Sequence, residues 1–464
     1  MLVSTRYGWH RDELYFLEAS KHLDWGFVDQ PPFTPFVAWL ANRVAPGNLA
    51  VLRLLPAIAA GATAVLGGVL ARELGAGRRT QILSTAAVAG SGFLLGVGHL
   101  LATATFDLLA WMAMLWVAAR LLRTGEPRWW VAFGAVAGVA LLNKDLAPLL
   151  TIVLLAGIAI ERRWALLRTR WLVLGGALAV VIAAPNLIWQ ATNDWPQLQM
   201  ARALSDRLAV ENRVTLLPLQ VLFAGPLLAG LLIRGSRWLG RDPEARPFRP
   251  LLWAWPAGVV LALVTAGRPY YVLPLTITVL LAGIVASERR GPDRWLPWRV
   301  AVNTALTLPL SLPLLPLSTM STIGADSVNQ AVAETVGWPE LADQVATIVD
   351  ALPAADRGHI VLLTGSYGEA GALDRFGPAR GLPPAFSPHN NYWYFRQPTD
   401  DDATVVAIRF PLALLEPRFD ECEHVADVDN GLDVENEAQG QPIIVCRGLQ
   451  DTWDDVWPEL RFLS

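Results

Sequence analysis

Residues 80–106 read TQILSTAAVAGSGFLLGVGHLLATATF, with no Asp, Glu, Lys or Arg in the whole run. A helix that crosses a bilayer needs about 20 mostly apolar residues. Further uncharged runs surround this one: Leu54–Ala71, Trp171–Asn193, Val214–Ile233, Pro250–Gly267, Pro269–Ser287 and Val300–Ala325. Three more are shorter: Leu108–Ala119, Trp129–Asn143 and Leu146–Ile160. The last two read as broken half-helices or as tilted pieces that borrow their flanks. A large soluble helical core would carry polar faces at helical spacing, and these runs are apolar all round. The sequence therefore predicts a polytopic α-helical membrane protein.

Charge divides the chain into two environments. The formal net charge of the 464 residues is -4, but residues 1–317 carry +12 and residues 318–464 carry -16. Charged residues make up 17% of the chain and hydrophobic residues 53%, whereas soluble domains carry about 25% charge. The cations of the first part alternate from loop to loop, as the positive-inside rule expects. Arg72, Arg78 and Arg79 fall in one loop, and Arg120, Arg123 and Arg128 in a second. Arg162–Arg170, Arg234–Arg249 and Arg289–Arg299 bound three more such clusters. This alternation predicts ten crossings over residues 49–317, with both residues 1–48 and the acidic tail 318–464 extracytoplasmic. An exported N-terminal segment with no preceding helix has no evident export route, so a further apolar helix is expected upstream of Met1.

Polar residues concentrate at the outer ends of the predicted helices. Asp107 sits inside an apolar stretch, and Lys144–Asp145 interrupts another. Ionisable groups at membrane depth are costly and mark either a site or an internal pair; a solvated turn is the other reading of Lys144–Asp145. The first outer segment is the densest. It runs His10-Arg11-Asp12-Glu13-Leu14-Tyr15, then Asp24-Trp25-Gly26 and Asp29-Gln30-Pro31-Pro32. Adjacent carboxylates in an outer loop suit general-base chemistry, although most Asp-Glu pairs are ordinary surface acids. The stretch FTPFVAWLANRV (Phe33–Val44) reads as an amphipathic interfacial helix.

Taken in order, these segments resemble family 39 glycosyltransferases. These are GT-C-fold membrane enzymes related to protein O-mannosyltransferases and to the lipid A aminoarabinose transferase. The resemblance rests on residues 7–32, Thr105-Phe106-Asp107, Leu142-Asn143-Lys144, Pro185-Asn186-Leu187-Ile188-Trp189 with Asp194-Trp195-Pro196, and Gly267-Arg268-Pro269-Tyr270-Tyr271. In the tail it rests on Gly365–Ala372 and His389–Trp393. Asn143, Asp145 and Ser366 depart from the residues common at those positions.

The resemblance implies a GT-C-like helical body with an extracytoplasmic C-terminal domain. It also implies inverting transfer of a sugar from a polyprenyl-monophosphate donor to an acceptor on the outer face. The acceptor class stays open among protein, lipid and glycan. On this reading Asp12 is the general base, Glu13 orients the loop or binds the acceptor, and Asp107 positions the acceptor or the acidic loop. Lys144 and Arg268 meet the donor phosphate, with Arg11, Arg202, Arg207 and Arg213 in reserve. Tyr15, Asp29, Asn186, Trp189, Tyr270 and Tyr271 contact substrate; for the aromatics, an interfacial belt is the competing reading. No cofactor and no obligatory metal is expected, since His10, His22 and His99 fit no established ligand spacing. The rival reading is a transporter or flippase, which often shows internal repeats; no repeat is visible here. A non-catalytic envelope scaffold whose outer domain binds glycan is a second rival.

The tail predicts a small soluble α/β domain. Trp338–Ala351 reads as a helix, and His359–Thr364, Thr404–Phe410 and Ile443–Arg447 as strands. Cys422 and Cys446 are the only two cysteines, and both fall in this exported part. A disulfide between them is expected there.

Overall fold

The structure is a computed structural model and describes residues 3–289, 291–317 and 329–463. It divides into two compact units. One comprises Gln30–Thr34 and Arg53–Leu312, the other Leu2–Asp29, Pro35–Leu52 and Pro313–Ser464. The chain opens with α1 (Arg11–Ala19) and α2 (Phe33–Val44). Along α2, Val37, Ala38 and Ala41 are buried, while Phe36, Trp39, Leu40 and Val44 form an exposed apolar stripe.

The first unit is helical throughout its described length. Its helices are α3 (Leu54–Glu73), α4 (Arg78–Ala89), α5 (Gly92–Gly98), α6 (Thr103–Thr124), α7 (Trp129–Leu141) and α8 (Ala147–Ile160). They continue with α9 (Arg170–Thr192), α10 (Pro196–Ala224), α11 (Ala229–Arg241), α12 (Arg249–Val264), α13 (Leu273–Glu288) and α14 (Leu296–Ser311). Five stretches are long and apolar enough to cross a membrane: Leu49–Glu73, Thr103–Thr124, Arg170–Thr192, Arg246–Val264 and Pro269–Glu288. Two helix pairs, α4 with α5 and α10 with α11, are long and apolar enough when taken together and are bent by 63° and 87°. The apolar run 80–106 is thus not one straight helix. Gly90 ends α4, and the Ser91 side chain caps the N–H of Leu94 to restart the helix. In the second pair the break falls at Gly225, whose φ of 125° only glycine adopts freely. Pro226 then prevents the helix from continuing through the break. The helices α7 and α8 are short and apolar, as their uncharged runs suggested.

Small residues let these helices approach closely, as in other membrane bundles. A side chain on Gly134 of α7 would collide with the Gly175 backbone of α9. One on Gly235 of α11 would collide with Val279 of α13, and Gly283 faces Leu231 in the same way. Helix α13 is buried along nearly its whole length and forms the centre of the unit. At the cationic loops, Glu73 takes Arg120 at 2.8 Å and Arg123 at 2.6 Å.

The second unit is α/β. Its tail carries α15 (Trp338–Ala351), α16 (Tyr367–Phe376) and α17 (Trp453–Leu460) around a five-stranded sheet. The strands are β1 (Ile360–Thr364), β2 (Ala385–Phe386), β3 (Thr404–Ile408), β4 (Phe419–Asp427) and β5 (Pro442–Leu449), in the order β2-β1-β3-β5-β4. β1 runs parallel to β2 and β3, while β5 is antiparallel to β3 and β4. Val361, Leu363, Val405, Ala407 and Ile444 face one side and pack with Trp453 and Trp457 of α17. The alternating residues Leu362, Val406 and Val445 are buried on the other face. β4 escapes a sequence reading because FDECEHVAD is acidic. It is an edge strand, and its exposed charges block further strand pairing.

Cys422 and Cys446 sit opposite each other in the β4–β5 ladder and form a disulfide. Closing a loop of sequence separation 24 stabilises a domain by about 3 kcal/mol. Cys422→Ser with Cys446→Ser should therefore lower the melting temperature of the tail by several degrees. A thermal melt with and without reductant checks this: wild type with reductant should match the double variant without it.

Candidate active site

The acidic segment is built from its own backbone upward. Gly8, at φ 105°, turns the chain before α1. His10 caps the helix: its Nδ1 accepts from Asp12 N at 3.1 Å, and its own N–H donates to Glu13 Oε2 at 2.9 Å. This reciprocal capping box satisfies two donors that every helix start leaves open. Glu13 is fully buried in that role, so of the two adjacent carboxylates it orients the segment. Asp12 stands in the first turn with its side chain 34% exposed, within reach of a substrate.

Asp12 Oδ1 accepts a 2.8 Å hydrogen bond from the hydroxyl of Tyr367, in the first turn of α16. Arg11 Nε lies 3.7 Å from the same oxygen, and His10 Nδ1 lies 3.9 Å from Oδ2. A second tyrosine–carboxylate pair stands beside it. Tyr15 donates to Asp29 Oδ1 at 2.8 Å, and the rings of Tyr15 and Tyr367 are 4.7 Å apart. Burial pushes the Asp29 carboxyl up to about 7; the Tyr15 hydrogen bond opposes the rise and the Asp12 charge adds to it. Burial also pushes both phenols well above their ordinary value, so they remain donors at neutral pH.

Around Arg11 lies a charge network that sequence reading did not anticipate. Arg11 pairs with Glu437, and its Nε is 3.9 Å from Glu334 Oε2. Arg409 bridges Glu369 at 3.1 Å and Glu437 at 2.9 Å. Glu369 is completely buried. Its only advance signal was the run Gly365–Ala372. The small residues of that run let α16 lie on α1: a side chain on Gly371 would come within 2.8 Å of Leu14 Cβ, and one on Gly368 within 3.1 Å of Arg11 Cβ. At the other end of α1, Glu18 pairs with Arg396 at 2.9 Å, and Arg396 also pairs with Asp374.

The remaining predicted residues lie in the helical unit. Lys144 Nζ donates to the Tyr270 hydroxyl at 2.7 Å and stands over the rings of Tyr270 and Tyr271, at 4.8 Å and 5.2 Å from their centroids. Asp107, buried in the first turns of α6, interacts electrostatically with Lys144 and with Tyr271. Asp107 Oδ1 has no hydrogen-bond partner among the described residues. Arg268 is exposed and also interacts with Tyr271. Asn143 accepts from Thr34 Oγ1 and donates to the Thr103 carbonyl, both at 2.9 Å, which ties residues 30–34 to the Lys144 segment. Asn186 is buried and Trp189 half-buried near the end of α9. An apolar cavity of about 360 Å³ lies between α6 and α7, lined by Phe33, Phe106, Leu109, Ala113, Val136 and Asn143. Among the described residues, no cluster of three or more His, Cys, Asp or Glu is arranged to hold a metal ion.

Residues 29–189 match the family described as dolichyl-phosphate-mannose-protein mannosyltransferase. The structure resembles ArnT from Cupriavidus metallidurans bound to undecaprenyl phosphate, with TM-score 0.59 and 18% identity over 95% of each chain. It also resembles the same protein in the apo state, with TM-score 0.56 and 18% identity over 93% of this chain and 92% of that one. The chain has a GT-C fold. No curated protein matches it in sequence.

The charge network makes the second unit sensitive to pH. Burial pushes Glu334 up to about 7 against the pull of Arg11. Burial would also raise Glu437, but Arg11 and Arg409 override it and hold that group at about 2. A raised folded pKa gives stability that is complete below the ordinary value of 4.5 and is lost as pH rises through about 7. A depressed one gives stability present above 4.5 and lost as pH falls towards 2. Glu334→Gln should therefore remove part of the stability loss between pH 5 and 8. Melting curves of wild type and variant across that range check it; parallel curves would refute it.

Proposed function

We propose that the chain is an inverting glycosyltransferase. It moves a sugar from a polyprenyl-monophosphate donor to an acceptor on the extracytoplasmic face. The observation that carries this reading is Asp12: a partly exposed carboxylate, fixed by a capped helix start and by a tyrosine hydroxyl. The match to mannosyltransferases and the GT-C fold support the donor class. The uncharged cavity between α6 and α7 has the lining expected of a hydrocarbon chain.

In this mechanism Asp12 takes the proton of an acceptor hydroxyl or amine. The freed electron pair attacks the anomeric carbon opposite the phosphate. The bond from that carbon to the phosphate oxygen breaks, and the polyprenyl phosphate leaves with the bonding pair. Cations stabilise the charge that develops on such a leaving group, and Lys144 and Arg268 take this role. The Lys144 ammonium is held by the Tyr270 hydroxyl and by both tyrosine rings. That arrangement aims the Lys144 side chain. Asp107 interacts electrostatically with Lys144, and the faces of Tyr270 and Tyr271 border the sugar or the first prenyl units.

A positioned general base contributes about 10²–10⁴-fold in rate. Asp12→Asn should lower transfer of radiolabelled sugar from polyprenyl-phosphate donors by that factor. Lys144→Met should lower it comparably while leaving the acceptor KM little changed. Transfer by Asp12→Asn at the wild-type rate would sink the base assignment. Absence of transfer by every form, with donor lipid moved across vesicles instead, would favour a flippase.

A further inference from the structure

We propose that Tyr367 is a positioning residue for the reaction: its hydroxyl, donated to Asp12 Oδ1, keeps the carboxylate ionised and turns Oδ2 towards the acceptor. The inference rests on Asp12 being the base, as proposed above.

The geometry is specific to this role. Tyr367 follows Ser366, whose hydroxyl caps α16 by accepting from Gly368 N at 3.2 Å. The phenol ring is fixed on its two sides. Tyr15 packs at 4.7 Å, and His389 stacks at 4.8 Å and is itself stacked on Phe462 at 4.5 Å. His389 Nδ1 also accepts from the Tyr367 backbone N–H, at 3.4 Å. Arg11 lies over the same ring at 5.5 Å, and its guanidinium is anchored by Glu437. The hydroxyl therefore has one bearing, and it meets Asp12 at 2.8 Å. A buried phenol aimed at a half-exposed carboxylate is a poor device for stability alone. The tail core is built elsewhere, on the sheet and α17. The gain falls on the acid instead: a hydrogen bond to the charged form favours that form.

His10 and Arg11 on its own segment and Asp29 in the bend that follows α1 also act on Asp12. Arg11 is in turn set by Glu334 and Glu437. None of these is altered by Tyr367→Phe, which keeps the ring and removes the hydroxyl. The neighbouring Tyr392 offers a matched control, because its hydroxyl donates to Asp374 at 3.0 Å in the same aromatic cluster.

The test uses the full chain in lipid nanodiscs, with Asp residues labelled ¹³C at Cγ and the Asp12 signal assigned by Asp12→Asn. A hydrogen bond to a charged group is worth about 1.5–3 kcal/mol, and a shift of one pH unit equals about 1.4 kcal/mol. Tyr367→Phe should therefore raise the Asp12 titration midpoint by one unit or more, a tenfold change in its ionisation constant. Tyr392→Phe should leave it in place. With undecaprenyl-phosphate-[¹⁴C]mannose as the probe donor, the acidic limb of the rate profile should move upward by the same amount in Tyr367→Phe. An unmoved Asp12 midpoint in Tyr367→Phe overturns the inference, as does an equal shift in Tyr392→Phe. Failure of the underlying reading looks different: Asp12→Asn would then transfer sugar at the wild-type rate whatever the titration shows. The titration does not depend on which sugar the protein prefers.

Discussion

Moving an ionised side chain out of water costs several kcal/mol unless a counter-charge and hydrogen bonds replace the lost hydration. Both units are organised around that cost. In the helical unit charge is absent from long runs and returns in the loops, where Glu73 is paired with Arg120 and Arg123. In the α/β unit charge is buried in matched groups. Arg11 and Arg409 hold Glu369 and Glu437, and Arg396 holds Glu18 and Asp374. These pairs lie at the two ends of α1 and fix a nine-residue helix whose Leu14, Tyr15, Phe16 and Ala19 are buried. Removing one partner would leave a buried charge exposed to the full penalty.

That scaffolding gives the two adjacent acids different tasks. Glu13 is buried and spends both its position and its charge on the helix cap. Asp12, one residue earlier, stays partly exposed and accepts from the Tyr367 hydroxyl. Asp29, ten residues beyond the end of α1, is pushed towards neutrality by burial. One short segment thus holds carboxylates in contrasting environments, one in a helix cap, one partly exposed and one buried. Such contrast is what acid–base chemistry needs from groups of one chemical type. In the helical unit Lys144 likewise gains a hydroxyl and two aromatic faces.

Much of the fold was legible because the bilayer imposes a coarse rule on composition. Uncharged length marks a span and cation alternation marks a loop, so a helical body followed by an α/β tail could be read directly, whereas the grouping of residues 2–29 and 35–52 with the tail could not. The bends could not. Gly90 and Gly225 lie within apolar runs whose composition continues past them, and only helix packing decides that the chain turns there. In the tail the β-branched strands were visible, whereas β4 was hidden by its acidic side chains. The disulfide needed no geometry to be anticipated, since the chain has only two cysteines.

The sequence by itself determined the inventory of the candidate site: Asp12, Glu13, Asp29, Asp107, Lys144, Arg268 and the tyrosines stand at unusual places in an apolar chain. Their local pattern did not separate Asp12 from Glu13; the family resemblance did, and the tertiary structure adds a physical reason by giving Glu13 to a helix cap and Asp12 to a hydroxyl 355 residues away. It alone also brought Glu334, Glu369, Arg409 and Glu437 to Arg11. The reason is physical. Hydrophobic runs and capping boxes act between residues close in sequence, whereas the environment that sets a carboxylate's charge is assembled from segments that meet only on folding.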